Sequence, residues 1–80
     1  MEDAELSGHT RDMLAERDLQ EAWIWRVLRE PDQHWSGPDG NEHFAKAIAE
    51  RDNRMLHVVL NPKSQPKRVV TAFFDRRLRR

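Results

Sequence analysis

The stretch Arg54-Met-Leu-His-Val-Val-Leu60, followed by Lys67-Arg-Val-Val-Thr-Ala-Phe-Phe-Asp75, decides the fold of this chain. Both runs are rich in β-branched and aromatic residues, and Asn61-Pro-Lys-Ser-Gln-Pro66 separates them. Runs of this kind, bounded by Asn, Pro and Ser, are typical of neighbouring β-strands. The sequence therefore predicts two antiparallel strands, over residues 54–60 and 67–75.

Two more strands are expected just upstream. Gly37-Pro-Asp-Gly-Asn41 is a strong turn sequence, and it separates a short strand over 33–36 from a longer one over 42–49. Asp52-Asn53 marks a further turn before residue 54. The four strands predict an antiparallel sheet in meander order.

The N-terminal part of the chain has helical periodicity instead. Between Leu6 and Glu30 there is no proline, and good helix formers dominate. Ser7 or Thr10 is suited to cap a first helix over 7–17, and a break near Asp18 starts a second over 20–30. Pro31 ends the second helix, because the residue before a proline is disfavoured in helical geometry. Two helices followed by four strands predict an α+β fold.

These elements divide the chain into a flexible N-terminus (1–6), one α+β domain (7–75) and a basic tail (76–80). The most buried residues are expected to be Leu14, Ile24, Leu28, Leu56, Val58 and Phe73.

Composition excludes several classes of protein. The chain has 80 residues and no cysteine, so disulfides, thiolate metal sites and thiol nucleophiles are excluded. No apolar run approaches the length of a membrane span, and no signal-peptide pattern is present, so a cytoplasmic protein is expected. Residues 1–40 hold four arginines and ten acidic residues, whereas residues 41–80 hold ten basic and four acidic residues. This asymmetry indicates either a surface that attracts polyanions or two halves that pair with each other.

The order of elements and its anchor residues resemble the bacterial family of a domain of unknown function, DUF4258, from about Gly8 to Arg76. The helical motif matches at His9, Glu16-Arg17, Leu19, Ile24, Val27-Leu28 and Pro31. The strand motif matches at Arg54, Leu56-His57-Val58-Val59 and Val70-Thr71-Ala72-Phe73. The resemblance implies a RelE- or ParE-like fold, whose members are often toxins of toxin–antitoxin pairs.

Metal-independent RNA cleavage needs a base, an acid and cations beside the phosphate. The candidates at the family-matched positions are His9, Arg17, Arg54, His57 and Thr71. Four of them also have a structural alternative: a backbone-bonded histidine at a helix start for His9, an arginine held by a carboxylate or by carbonyls for Arg17, an outer-face histidine for His57, and a β-forming residue for Thr71. Because Arg54 and His57 face opposite sides of a regular strand, the five are not expected to form one site.

The C-terminal half also has a cationic edge, which is suited to bind RNA phosphates or an acidic antitoxin segment. Its candidate residues are Lys63, Lys67, Arg68, Arg76 and Arg77. The alternative to a binding surface is that these charged side chains form a solubilising rim, followed by a disordered tail. His34 and His43 flank the first predicted turn, but no third ligand has suitable spacing, so neither a metal nor another cofactor is expected.

Trp23 and Trp25 are the candidate interface residues on the second helix. They lie about 200° apart around the helix axis, so both cannot enter the core. Trp23 borders the apolar stripe, whereas Trp25 falls outside it, and an exposed tryptophan favours contact with an antitoxin or a second copy.

The function predicted from sequence is a toxin-type, metal-independent ribonuclease of a bacterial toxin–antitoxin system. The alternative is a non-catalytic binding or accessory module of the same fold, acting through protein–protein contacts. RNA, an antitoxin protein and a homo-oligomer are the expected partners, and a membrane is not.

Overall fold

A computed structural model describes residues 4–79 of the chain. Residues 1–3 of the predicted flexible N-terminus and Arg80 of the predicted tail lie outside the described residues. The elements in chain order are β1 (Ala4–Leu6), α1 (Gly8–Glu16), α2 (Glu21–Arg29), β2 (Gln33–Ser36), β3 (Glu42–Ile48), a 3₁₀ turn (Ala49–Arg51), β4 (Arg54–Asn61) and β5 (Lys67–Phe74). The predicted α+β class and its two helices are confirmed.

The prediction of a four-stranded antiparallel sheet is wrong at one edge. The sheet has five strands in the order β1-β5-β4-β3-β2, and β1 is the additional edge strand. β1 pairs in parallel with β5, so that Ala4 lies opposite Lys67 and Leu6 opposite Val69. The other pairs are antiparallel, in the predicted meander order. Three residues are too few to show strand alternation, and their partner is far away in sequence, so local patterning did not indicate β1.

The helices begin and end where side chains satisfy or interrupt the backbone. The Ser7 hydroxyl accepts a hydrogen bond from the Thr10 backbone N–H at 3.1 Å, so Ser7 is the N-cap of α1. Asp18 has a φ of 57°, in the left-handed region, and this residue separates α1 from α2. Pro31 follows α2 directly after its C-cap, Glu30.

One face of the sheet packs against both helices and forms the hydrophobic core. Ile24 and Val27 of α2 are completely buried there. Trp23 is buried as well and meets the ring of Phe74 edge-on, with centroids 6.3 Å apart. The strands contribute Phe44, Ile48, Leu56, Val58, Leu60, Val69 and Ala72.

The alternate residues of the same strands point to the opposite side, here called the helix-free face. It carries Gln33, Trp35, His43, Ala45, Met55, His57, Val59 and Phe73. Phe73 was expected among the most buried residues; this is wrong, because strand alternation turns it to the helix-free face, where it is half-buried. A register shift at Val59/Leu60 leaves Val70 of β5 exposed beside the buried Val69.

The segment after β5 returns the chain toward β2. The Leu78 backbone N–H donates to the Asp75 carbonyl at 3.2 Å, which closes a turn. The side-chain amide of Gln33 then donates to the Arg79 carbonyl. Residues 76–79 of the predicted tail are thus held against the sheet at both ends. In the described range 4–79, no helix is long and apolar enough to cross a membrane.

Candidate functional site

A chain of hydrogen-bonded polar side chains crosses the helix-free face. Nε2 of His43 lies 3.3 Å from Oδ1 of Asp39, and Nδ1 of His43 lies 2.9 Å from Nε2 of His57. Nδ1 of His57 lies 3.0 Å from Oδ2 of Asp75. Arg77 closes the far end, since its Nε and Nη2 both donate to Asp75 at 3.0 Å. We call Asp39, His43, His57 and Asp75 the relay.

The carboxylate at each end fixes which atoms donate. The Arg77 guanidinium and then the His57 ring hold the pKa of Asp75 well below its usual range, so Asp75 is an ionised acceptor. The backbone N–H of Asn41, followed by His43, lowers the pKa of Asp39. Nδ1–H of His57 therefore donates to Asp75, which leaves Nε2 of His57 to accept from Nδ1–H of His43.

The three hydrogen bonds of the relay fix the number of N–H donors that its two histidines must supply. Its three hydrogen bonds need three N–H groups, whereas two neutral imidazoles supply only two. All three bonds are made when the histidine pair carries one extra proton, with Nε2–H of His43 donating to Asp39. The bond between Asp39 and His43 lies at the end of the relay that meets solvent, here called its open end.

The inner part of the relay is shielded from water. His57 and Asp75 are only 5 % and 6 % exposed, while the His43 side chain is 14 % exposed and that of Asp39 is 48 % exposed. Trp35 stacks on His43 with ring centroids 5.3 Å apart, and Phe73 covers His57 at 4.9 Å. Burial strengthens these charge-assisted bonds and holds both rings in place.

The turn between β2 and β3 lets Asp39 and His43 meet. A Cβ atom on Gly37 would lie 2.4 Å from Nε2 of His43 and 2.7 Å from Oδ1 of Asp39. Only glycine leaves this space free. Nζ of Lys63 lies beside the same turn, 3.8 Å from the position that a Cβ on Gly40 would take. The open end of the relay therefore combines a carboxylate, an imidazole and an ammonium group.

A second feature is a pocket of about 520 Å³ at the opposite end of the sheet. It lies between the turn that precedes β4 and the segment after β5. Its lining includes Arg54, Arg76, Arg79, Asn53 and Phe74. The Arg54 guanidinium carbon lies 4.7 Å from the centre of the Phe74 ring. We call this the arginine pocket.

The five family-matched candidates occupy several separate places. Nη1 of Arg17 donates to the Ala72 carbonyl at 2.7 Å and lies 3.4 Å from Oγ1 of Thr71, where β1 no longer covers the edge of β5. His57 belongs to the relay and Arg54 to the arginine pocket, while His9 is exposed on α1. The structure brings Arg17 and Thr71 together, and it brings neither of them to His57 or His9.

The predicted basic edge is divided between the two ends of β5. Lys63, Lys67 and Arg68 lie at its start, and Arg76 and Arg77 follow its end, about 25 Å away at the rise of an extended strand. Arg77 is held by Asp75, whereas Arg76 lines the arginine pocket.

His34 and His43 lie on opposite faces of the β2–β3 hairpin. Nε2 of His34 pairs with Glu42 at 2.7 Å, and its ring stacks on Phe44. The hydrogen bonds from Ser36 and His34 lower the pKa of Glu42. Residues 4–79 contain no group of three or more side chains placed to hold a metal ion.

The two tryptophans of α2 differ in burial. Trp23 is in the core, so it adds nothing to the exposed surface. Trp25 is half-buried against the core, and its indole N–H donates to Glu21 at 3.1 Å. The Trp25 ring thus already has partial cover within the chain.

The sequence reasoning missed the link from His43 through His57 to Asp75. The signal was available in the predicted strands, because His57, Phe73 and Asp75 share one face of their hairpin by alternation. Placing His43 beside them also required the register of β3 against β4, which pairs His43 with Val59 and Ala45 with His57.

The fold and the site together define the class of protein. It is an α+β domain with a histidine–carboxylate relay on the helix-free face of a mixed sheet. The family model for the domain of unknown function DUF4258 matches residues 6–74. The chain belongs to this family, as its motifs indicated. No curated protein and no solved structure matches it.

Proposed function

We propose that the chain is a RelE/ParE-like, toxin-type domain that cleaves RNA without a metal ion. The relay carries this proposal, because its carboxylate and imidazole are in contact at a solvent-facing turn. Cleavage of RNA by its own 2′-hydroxyl needs one group that accepts a proton and another that donates one.

The relay supplies both groups at its open end. Asp39 accepts the 2′-hydroxyl proton as the 2′-oxygen bonds to phosphorus, and Nε2–H of His43 protonates the departing 5′-oxygen. The products are a 2′,3′-cyclic phosphate and a 5′-hydroxyl. Lys63 is the nearby cation for the charge that develops on the phosphate. His57 and Asp75 are positioning residues, since they orient the His43 ring from the buried side.

Toxin activity also needs a means of restraint. An acidic antitoxin segment that covers Lys63, Lys67 and Arg68 at the start of β5 would block the open end of the relay. Trp25 remains the anchor proposed for an antitoxin or a second copy, through the part of its ring that the chain leaves uncovered.

The proposal is tested with purified protein and a single-stranded RNA in the presence of EDTA. We expect cleavage that leaves a 2′,3′-cyclic phosphate, and we expect His43→Gln to lower the rate by about 10²- to 10⁴-fold. His34→Gln is the matched control, because His34 lies in the same hairpin on the other face.

Two results would contradict the proposal. A folded His43→Gln protein that cleaves at the wild-type rate excludes the relay from the chemistry. A wild-type protein that neither cleaves RNA nor arrests growth when expressed in a bacterium excludes the ribonuclease and favours the non-catalytic binding module.

A further inference from the structure

The arginine side chains of this protein differ in whether they pair with a carboxylate or a carbonyl group. In residues 4–79, Arg11, Arg26, Arg51 and Arg77 pair with carboxylates, and Arg17 bonds a backbone carbonyl. The guanidinium groups without a carboxylate or carbonyl partner in that range are those of Arg29, Arg54, Arg68, Arg76 and Arg79. Three of these five line the arginine pocket. The unpaired arginine side chains are therefore concentrated there.

The acidic residues of the pocket do not cancel this charge. Oδ1 of Asp75 accepts from the backbone and side chain of Arg77, and Oδ2 accepts from His57 and Arg77. Both oxygens of Asp75 are thus occupied by groups outside the set of three arginines. Among residues 4–79, Asp52 is the one other carboxylate in the pocket lining, and it is exposed. Three guanidinium groups against one free carboxylate leave the pocket cationic.

The side chains that line the pocket suit an anion with paired oxygens. The guanidinium carbons of Arg54 and Arg51 lie 4.7 Å and 5.3 Å from the centre of the Phe74 ring, and this contact holds the Arg54 guanidinium in place. The side-chain amide of Asn53 adds hydrogen-bonding capacity at the rim. Guanidinium groups match the paired oxygens of a phosphate.

We propose that the arginine pocket binds the phosphate backbone of single-stranded RNA, with Arg54, Arg76 and Arg79 as the contacts. The pocket lies at the end of the sheet opposite the turn that holds Asp39 and His43. Its Phe74 packs on the helix-covered side of the sheet, against Trp23. The choice of RNA rests on the proposed function. The pocket itself is tested by binding alone.

The probe is a fluorescent octamer of uridylate, and the protein carries His43→Gln so that no cleavage intervenes. Fluorescence anisotropy is measured over a series of salt concentrations. Each phosphate contact on a single strand contributes about 0.7 to the slope of log K against log [salt]. We expect Arg76→Gln to lower the slope by about 0.7, and the triple variant of Arg54, Arg76 and Arg79 to glutamine to lower it by about 2.

Arg29→Gln is the matched control, because Arg29 is exposed and lacks a carboxylate partner but lies on α2. Its slope should equal that of the parent protein. An unchanged slope in the triple variant, or an equal decrease in the Arg29 control, would overturn the site. So would tight binding of an octamer of glutamate with no binding of the RNA, which would assign the pocket to an acidic protein segment.

This experiment separates the pocket from the ribonuclease. If the slopes change as expected but the wild-type protein cleaves no RNA, RNA binding by the arginine pocket is supported and the proposed cleavage is excluded. Cleavage that depends on His43, together with unchanged slopes, would do the reverse.

Discussion

The two faces of the sheet exclude water by different means. On the helix-covered face, α1 and α2 bury aliphatic side chains, and Leu56 and Val58 have no exposed surface. On the helix-free face, His57 and Asp75 are almost as buried, yet the rings of Trp35 and Phe73 lie on His57 and the Arg77 side chain pairs with Asp75. Burial on the first face comes from apolar area, whereas burial on the second needs every polar atom to have a partner.

The comparison shows why β4 is buried along nearly its whole length. Residues 55–60 are all buried, which for a strand means cover on both sides. In the described residues, no buried side-chain nitrogen or oxygen lacks a hydrogen-bond partner. The helix-free face therefore tolerates two ionisable groups because the relay satisfies them.

The largest effect is expected on the helix-covered face. Leu56→Ala leaves a cavity among completely buried neighbours, and it should lower the free energy of unfolding by about 2–5 kcal/mol. Urea unfolding at 25 °C measures the loss. Val70→Ala is the control, since Val70 is 43 % exposed on the same sheet and should change stability by less than about 0.5 kcal/mol. Equal losses of unfolding free energy in the two variants would show that the helices do not bury this face of the sheet.

A smaller effect is expected from the helix-free face. Asp75→Asn replaces charge-assisted bonds to His57 and Arg77 with weaker neutral ones, at a cost of about 2–3 kcal/mol near pH 7. The folded-state pKa of Asp75 lies below its value of about 4 in the unfolded chain, so its contribution is complete above that value. It is lost as the pH falls toward the folded-state pKa.

The difference between wild type and Asp75→Asn should therefore shrink as the pH falls below about 4, in unfolding curves measured from pH 7 to pH 2. Arg77→Gln removes the main cause of the low pKa of Asp75. The pH range over which this variant loses stability in acid should therefore be narrower than that of the wild type. A difference that stays constant across this range would contradict the ionised state of Asp75.

The smallest effect concerns the turn that holds the open end of the relay. Gly37→Ala places a Cβ against both His43 and Asp39, and relieving that clash should cost about 1–2 kcal/mol. Thermal unfolding measures the cost, and the side-chain NMR signals of His43 should shift. Gly8→Ala is the control, because no atom lies within 4 Å of its added Cβ. Unshifted His43 signals in Gly37→Ala would show that Asp39 and His43 are not held together in solution.

Local chemistry accounts for the parts of this fold that the sequence predicted. Ser7, Asp18 and Pro31 set the helix boundaries through capping, left-handed backbone and the lost N–H of proline, all of which act within a few residues. The meander follows from turn sequences in the same way. β1 was missed because its partner lies at residues 67–69, far outside any local window.

The candidate site was only partly predictable for a related reason. His57 was found through its motif, but its role depends on which residues of β3 and β5 lie beside it. A shift of one residue in register would place His43 on the helix-covered face and abolish the relay. The motif positions Arg17 and Thr71 meet each other instead, because the edge of β5 offers an uncovered carbonyl to Arg17.

The parallel pairing of β1 with β5 has a consequence for the order of folding. Each hairpin of the meander closes a short loop, whereas joining residues 4–6 to 67–69 closes a loop of about 60 residues. Contacts of such long sequence separation form slowly, so the meander is expected to assemble before β1 docks on it. During synthesis, β1 is made before its partner strand β5. β1 is therefore made before the strand that it joins but docks only after the meander has formed, and its amides are expected to exchange with solvent before those of β4.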